Sequence, residues 1–215
     1  CPIKLDNDSS HRRGVNLIGG IMKLIRCYML VIILISLCGC GSALRVYLHP
    51  QTDIGGLKKV AVIPFSNLSA DHFAGERVTN AFITELLIKT NVEVVDEGEL
   101  SKGLKDVGID LGSASNLQKS LDVAKLQKLG KSLGVHGIVM GSVDQYDMAR
   151  IGTESYPVIT LTVRLVDVET GGIMWMSSCS KKGGPGSIPF ISTGEVYTLS
   201  ELTQKVARHI VSSLE

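Results

Sequence analysis

The stretch from Met22 to Cys40 constrains this chain more than any other part of it. It reads Met-Lys-Leu-Ile-Arg-Cys-Tyr-Met-Leu-Val-Ile-Ile-Leu-Ile-Ser-Leu-Cys-Gly-Cys. Lys23 and Arg26 make a short basic start, Tyr28 to Leu37 is nearly all apolar, and small residues lead into Cys40. That order of charge, apolar core and small-residue end is the anatomy of a secretory signal. A transmembrane helix is the other reading of such a run, but crossing the hydrocarbon takes about 20 apolar residues, and this run is shorter. A signal peptide over residues 22–39 is therefore expected. Residues 1–21 are polar, carry His11-Arg12-Arg13 and begin with Cys. They read as an upstream extension of the gene model with Met22 as the start; a long basic n-region is the alternative.

The end of the signal, Leu37-Cys38-Gly39-Cys40, resembles the lipobox of bacterial lipoproteins, with Cys38 where Ala or Ser is usual. The resemblance implies cleavage before Cys40, a thioether-linked diacylglycerol on its sulfur and an acyl chain on its amine. Several chains on one residue hold a protein on a bilayer, where one chain binds only marginally. Gly41 and Ser42 follow, and by resemblance to enterobacterial sorting the lack of Asp there implies the outer membrane, facing the periplasm. Once Cys40 is lipidated and the signal is gone, Cys179 is the sole cysteine left, so no internal disulfide is expected even in an oxidising compartment. The formal net charge of +1 gives no reason to expect nucleic acid or anionic lipid as a partner.

The 215 residues suffice for one domain plus this address segment. Residues 40–57, with Pro50, Gly55 and Gly56, read as a lipidated tether, and residues 58–215 as the periplasmic domain. Lys58 to Phe65 predicts a buried strand stopped by Pro64. Ala74 to Lys89 predicts a helix with Val78, Phe82 and Leu86 inward, Ile83 and Leu87 widening the stripe, and Asp71 as N-cap. Asn91 to Asp96 reads as a short strand. Glu97 to Asn116 is ambiguous between helix and loop: Leu100 and Leu104 could share a helix, but the four glycines from Gly98 to Gly112 argue for loop character. Leu121 to Leu133 predicts a helix ended by Gly134, and Gly137 to Tyr146 a strand.

Val158 to Val168 is the clearest period-two segment: Ile159, Leu161, Val163 and Leu165 point one way, Thr160, Thr162 and Arg164 the other. A turn at Glu169 to Gly172 folds it against Ile173 to Ser180, where Trp175 and Cys179 share a face. Lys181 to Gly194 is a Gly- and Pro-rich loop, and the Thr198/Glu201 capping box opens a last helix. The expected fold is an α/β (α+β) sandwich. Its mixed sheet ends in a late antiparallel hairpin, with helices packed on it, like an anticodon-binding domain.

The search for chemistry is mostly negative. His49, His72, His136 and His209 are isolated, with no zinc-type spacing, and no nucleophile elbow or phosphate loop appears. Asp144 and Asp147 could form a metal or acid/base pair but lack a third ligand, and a solvated strand end accounts for them. His136 reads as a turn or capping residue. Cys179 could be a nucleophile, though a lone Cys beside Trp175 reads as a small buried hydrophobe. No catalytic residue, cofactor or metal is expected.

Several segments together resemble the CsgG-like family, named for the curli secretion channel. They are Val60-Ala61-Val62-Ile63-Pro64-Phe65-Ser66-Asn67-Leu68-Ser69, Thr84-Glu85-Leu86-Leu87, Val92-Glu93-Val94-Val95-Asp96, Gly134 to Val143, and Leu165 to Gly171. That resemblance implies a lipid-anchored envelope protein, with His136 and Gly137 departing from the usual pair. Channel-forming members span the membrane with strands of about 9–11 alternating residues. Asp144 to Pro157 is charged and short, and Lys181 to Tyr197 is broken by Gly and Pro, so the fold and location carry over but the pore does not. The expected function is a non-catalytic assembly or interaction module anchored through Cys40, with an envelope protein partner and scope for homo-oligomerisation. A secretion-channel subunit and a periplasmic hydrolase are the alternatives.

Overall fold

The computed structural model describes residues 26, 28–29, 43–51, 54–109, 118, 120–184 and 196–214. The chain divides into Cys1–Gly41 and Ser42–Glu215. Of the first unit only Arg26, Tyr28 and Met29 are described, helical and exposed. The Leu37-Cys38-Gly39-Cys40 motif lies outside the described residues, as do residues 185–194 of the Gly/Pro loop.

The second unit is built on a seven-stranded mixed sheet. Its strands are β1 (Ala43–Leu48), β2 (Lys59–Val62), β3 (Ser66–Asn67), β4 (Glu93–Val94), β5 (Gly137–Ile151), β6 (Glu154–Asp167) and β7 (Ile173–Lys182). Its helices are α1 (Ala74–Lys89), α2 (Glu97–Asp106), α3 (Val123–Leu133) and α4 (Leu199–Val211). The strand order is β1-β7-β6-β5-β2-β4, with β3 beside β5 off that path. β2 runs parallel to β4 and β5, and β3 parallel to β5, whereas β1, β7, β6 and β5 pair antiparallel. This is the expected mixed α+β architecture with its antiparallel part late in the chain.

Alternation along the strands sorts the core into two clusters. Val60, Val62, Val139, Val143, Ile159, Leu161, Val163, Leu165, Trp175 and Cys179 face α1 and α4, where Val78, Phe82, Leu86, Leu202, Val206 and Ile210 meet them. Ala61, Ile63, Ile138, Met140, Val166 and Val168 face the other way, onto Leu100 and Leu104 of α2 and Leu126, Leu129 and Leu133 of α3. β2 and the start of β5 are therefore covered on both faces, which is why both read as unbroken apolar runs. Beyond Arg164 the second pair of helices ends, and the antiparallel part is covered on one face only. Both clusters close within Val60–Val211, so Ser42–Glu215 carries a complete core, the condition for folding alone.

Local chemistry explains the helix ends. Thr198 accepts from the Glu201 N–H at 3.2 Å, as the capping box requires. Asp122 caps α3 by accepting from Lys125 N at 2.8 Å, and Gly134 ends it in the left-handed region at φ 62°. Asp71 is not the N-cap of α1. That position falls on Phe73, which makes no side-chain cap bond, and Asp71 instead accepts from Phe73 N at 2.8 Å, one turn of chain earlier. Leu87 does not widen the buried stripe of α1 and is exposed. Glu85 is buried there instead, held by Arg208 of α4 at 3.1 and 3.0 Å.

The ambiguous stretch from Glu97 forms a helix because Asp96 accepts from Gly98 N at 2.8 Å and Leu100 and Leu104 bury together. Gly103 faces α3, where a Cβ would come within 2.9 Å of Leu133 Cδ2, so the glycine sets how closely the two helices approach. Ala43–Leu48, inside the expected tether, is an edge strand on β7. Asp144 to Pro157 is no separate insertion either: β5 and β6 continue through it as one hairpin, paired out to Ile151 and Glu154 and turning at Gly152.

Candidate interaction surface

The register places one set of side chains on the open side of the antiparallel half. Arg45, Ser178, Thr162 and Ser142 lie across one row, and Tyr47, Met176 and Arg164 across the next. Toward the hairpin tip the rows continue with Ser180, Thr160 and Gln145, then Lys182, Val158 and Asp147. These belong to the period-two set opposite Ile159, Leu161, Val163 and Leu165, and no helix of the described residues covers them.

Short polar side chains tie the middle of this face together. Asp144 accepts from Ser142 Oγ at 2.8 Å and from Thr162 Oγ1 at 3.1 Å. Thr162 also reaches Ser178 Oγ at 3.2 Å, and Thr160 and Ser180 share a bond of 2.9 Å. Cross-strand hydroxyl pairs of this sort stiffen a sheet face that has no apolar cover.

Aromatic rings stand at both ends. Tyr47 on β1 is half exposed. At the other end the Tyr156 and Tyr197 rings lie 6.4 Å apart, with the Lys182 ammonium 5.5 Å from the Tyr156 ring centroid. The Tyr156 hydroxyl donates to Glu154, and that carboxylate holds the phenol above its ordinary pKa. Gly183 and Gly184 bring the end of β7 against this group: Gly183 N donates to Pro157 O at 2.7 Å, and Gly184 pairs with Val196. The result is a rigid, amphipathic platform of the kind enriched in protein interfaces.

The residues singled out for chemistry do not converge. Asp144 is engaged by two hydroxyls, and Asp147 by Gln145 Nε2 at 3.2 Å. His136 is exposed and serves through its backbone, donating to Lys59 O and accepting from Val168 N. Cys179 is fully buried beside the core, and burial pushes its thiol pKa up, only partly opposed by Lys181. A thiol so placed is a poor nucleophile. Among the described residues no three His, Cys, Asp or Glu side chains gather as a metal site. Tyr47, Tyr156 and Tyr197 were not legible as a surface, because neither the tether nor the loop reading revealed that their backbones belong to one sheet. The one available signal was alternation continuing back from Val158 to Tyr156.

Comparison with known proteins gives the family. The sequence model described as peptidoglycan-synthase activator LpoB matches residues 46–179. No curated protein matches the chain. Among solved structures, the PelC dodecamer from Paraburkholderia phytofirmans is 18% identical, covers 81% of this chain and 97% of its own, and superposes with a TM-score of 0.53. Lipoprotein GNA1162 from Neisseria meningitidis is also 18% identical, covers 72% of this chain and 99% of its own, and has a TM-score of 0.51. The LpoB C-terminal domain from Escherichia coli is 18% identical over 58% of this chain and 82% of its own, with a TM-score of 0.43. At these identities the PelC and GNA1162 structures speak for the fold alone.

The matching family overturns the CsgG-like resemblance and the curli connection with it. The motifs behind that resemblance are largely core positions of this sheet, Val60, Val62, Val139 and Val143 among them. A burial pattern shared by one architecture does not separate its families. With residues 46–179 spanning β1 to most of β7, the chain belongs to the LpoB family of peptidoglycan-synthase activators.

Proposed function

We propose that this protein activates a peptidoglycan synthase by docking on it, without chemistry of its own. It is held by lipid on Cys40 at the outer membrane and faces the periplasm. The match to the activator family over residues 46–179 carries the reading. Most of the open sheet face lies inside that span and is the docking surface, with Tyr47 and Tyr156 inside the span and Tyr197 beyond its end as anchors. In this reading residues 22–39 are removed as the signal, Cys40 carries the lipid, and Ser42–Glu215, which begins with β1, forms the periplasmic domain. The β1 edge, hydrogen-bonded only to β7 among the described residues, remains free for self-association.

The test is direct. The lipid-free Ser42–Glu215 unit is added to a purified peptidoglycan synthase of the same organism, and peptidoglycan synthesis is followed together with binding by interferometry. Stimulation is expected, and Tyr156→Ala with Tyr197→Ala is expected to abolish it while circular dichroism stays unchanged. Absence of any binding by the intact unit would refute the activator reading. Undiminished stimulation by the double variant would move the docking surface elsewhere. Palmitate-analogue labelling lost in Cys40→Ala tests the anchor separately.

A further inference from the structure

The β1 edge is exposed on both of its sides. Val46, Tyr47 and Leu48 are each close to half accessible and form the longest run of exposed large apolar side chains among the described residues. The register puts Val46 and Leu48 on the helix-covered side, beside Ser177 and Trp175, and Tyr47 on the open side, beside Met176. A partner resting on the open face reaches Tyr47 and leaves Val46 and Leu48 bare. From Cys40 to Thr52 the chain carries no carboxylate.

What lies against this edge is set by the chain that precedes it. Only Gly41 and Ser42 separate Cys40 from Ala43, the first residue of β1. Three peptide steps span at most about 11 Å, so a lipid on Cys40 holds the start of β1 within that distance of the bilayer. The strands cannot then stand upright on it. Gln145 lies in the same row as Ala43, and β5 runs on from there to Ile151, so the hairpin reaches roughly 20 Å beyond that row. With that end down, Arg150, Glu154 and the turn backbone would be driven into hydrocarbon, where charges and unpaired N–H and C=O groups are costly. With the other end down, Leu48 would lie roughly 17 Å below Ala43, and the turn that follows β6, with Glu169, deeper still. The strands therefore lie along the surface. The β4 edge is five strands from β1, roughly 24 Å away and out of reach. α1 and α4 hold the helix side off, and the open face offers mainly hydroxyls. That leaves the β1 edge.

We infer that the β1 edge lies on the surface of the membrane that holds the protein, with Val46 and Leu48 entering the lipid interface. The inference rests on the Cys40 anchor proposed above. Apolar side chains this close to an anchor add to its hold without any charge pattern. Edge-on contact reaches only the headgroup layer, where water still serves the outward N–H and C=O groups of β1. It also stands the open face normal to the bilayer, where a partner can approach it.

The test uses the mature lipidated protein in phosphatidylcholine liposomes, with its intact mass read for acyl groups. Cys179 is fully buried and Cys40 carries the lipid, so a nitroxide goes to one introduced thiol at a time. The variants are Val46→Cys, Leu48→Cys, Leu87→Cys on α1 and Thr153→Cys in the hairpin turn, all at exposed positions, with the fold checked by circular dichroism. Collisions with dissolved oxygen and with a water-soluble nickel chelate are compared. At 46 and 48 the oxygen-to-nickel ratio should rise several-fold over that at 87 and 153, and the rise should vanish in the lipid-free Ser42–Glu215 unit. Ratios at 46 and 48 equal to those at 87 and 153 overturn the proposal. So does a high ratio at 153, which would put the hairpin tip in the membrane. Loss of both collision rates at 46 and 48, with spin–spin broadening, would put a second copy's β1 on the edge and overturn it too. A mass without acyl groups would refute the anchor reading itself, and this pose with it.

Discussion

The two halves of the sheet solve the same problem differently. At β2 and the start of β5, parallel strands lie between α1 and α4 on one side and α2 and α3 on the other, so neighbouring residues such as Ile138 and Val139 are both buried. At β6 and β7 the strands are antiparallel and only one face is covered, so Leu161 is buried while Thr162 sits in a hydroxyl network. The doubly covered half is a scaffold with no surface to offer. The singly covered half takes its stability from one face and leaves the other free to meet a partner. A protein that works by contact needs the second kind of strand, held steady by the first.

Carboxylates placed on adjacent residues break that comparison most sharply. Leu161→Asp should leave Ser42–Glu215 unfolded, because an unpaired buried carboxylate costs several kcal/mol out of the roughly 5–15 that hold a domain together. Thr162→Asp should cost about 1 kcal/mol or less, mainly through repulsion from Asp144. In the doubly covered half the asymmetry should vanish, with Ile138→Asp and Val139→Asp equally destructive. Urea midpoints of the four variants decide it; a tolerated Ile138→Asp would show that α2 and α3 do not seal that face.

The scaffold half can be tested more gently at Gly103. An alanine there gains helix propensity but must push Leu133 and Leu129 aside, with overpacking typically worth about 1–3 kcal/mol. Gly103→Ala should therefore lower the melting temperature, and Leu133→Ala in the same chain should remove much of the penalty. Additive losses would mean that the two helices are not in the contact described.

Cys179 sharpens the comparison from the covered side of the open half. Burial raises its thiol pKa in the folded state above that in the unfolded chain. A raised pKa adds stability that is complete below the unfolded value and is lost as pH climbs through the folded one. Stability should thus decline in the alkaline range, and less so in Cys179→Ala. Reaction with a thiol reagent at neutral pH should track unfolding; rapid labelling of native protein would mean the covered face opens locally. The smallest effect is expected at Thr198→Ala, which removes the cap of α4 and should cost about 1 kcal/mol in a denaturant titration.

What could be read in advance was whatever depends on neighbours along the chain. The period of Ile159 to Leu165, the Thr198/Glu201 cap, the stop at Gly134 and the helix from Ala74 to Lys89 are local arrangements of backbone and side chain, and they stand where the sequence puts them. The mixed α+β class follows from their order. Ala43–Leu48 could not be read as a strand, because its reason for being one is β7, more than a hundred residues away. Glu97 to Asp106 needed α3 to make its glycines an asset. Tyr47, Tyr156 and Tyr197 became one surface only when the strands paired. Local propensity and periodicity determine which elements form; which faces are covered, and so which side chains are left free to act, depends on long-range packing that no short window of sequence contains.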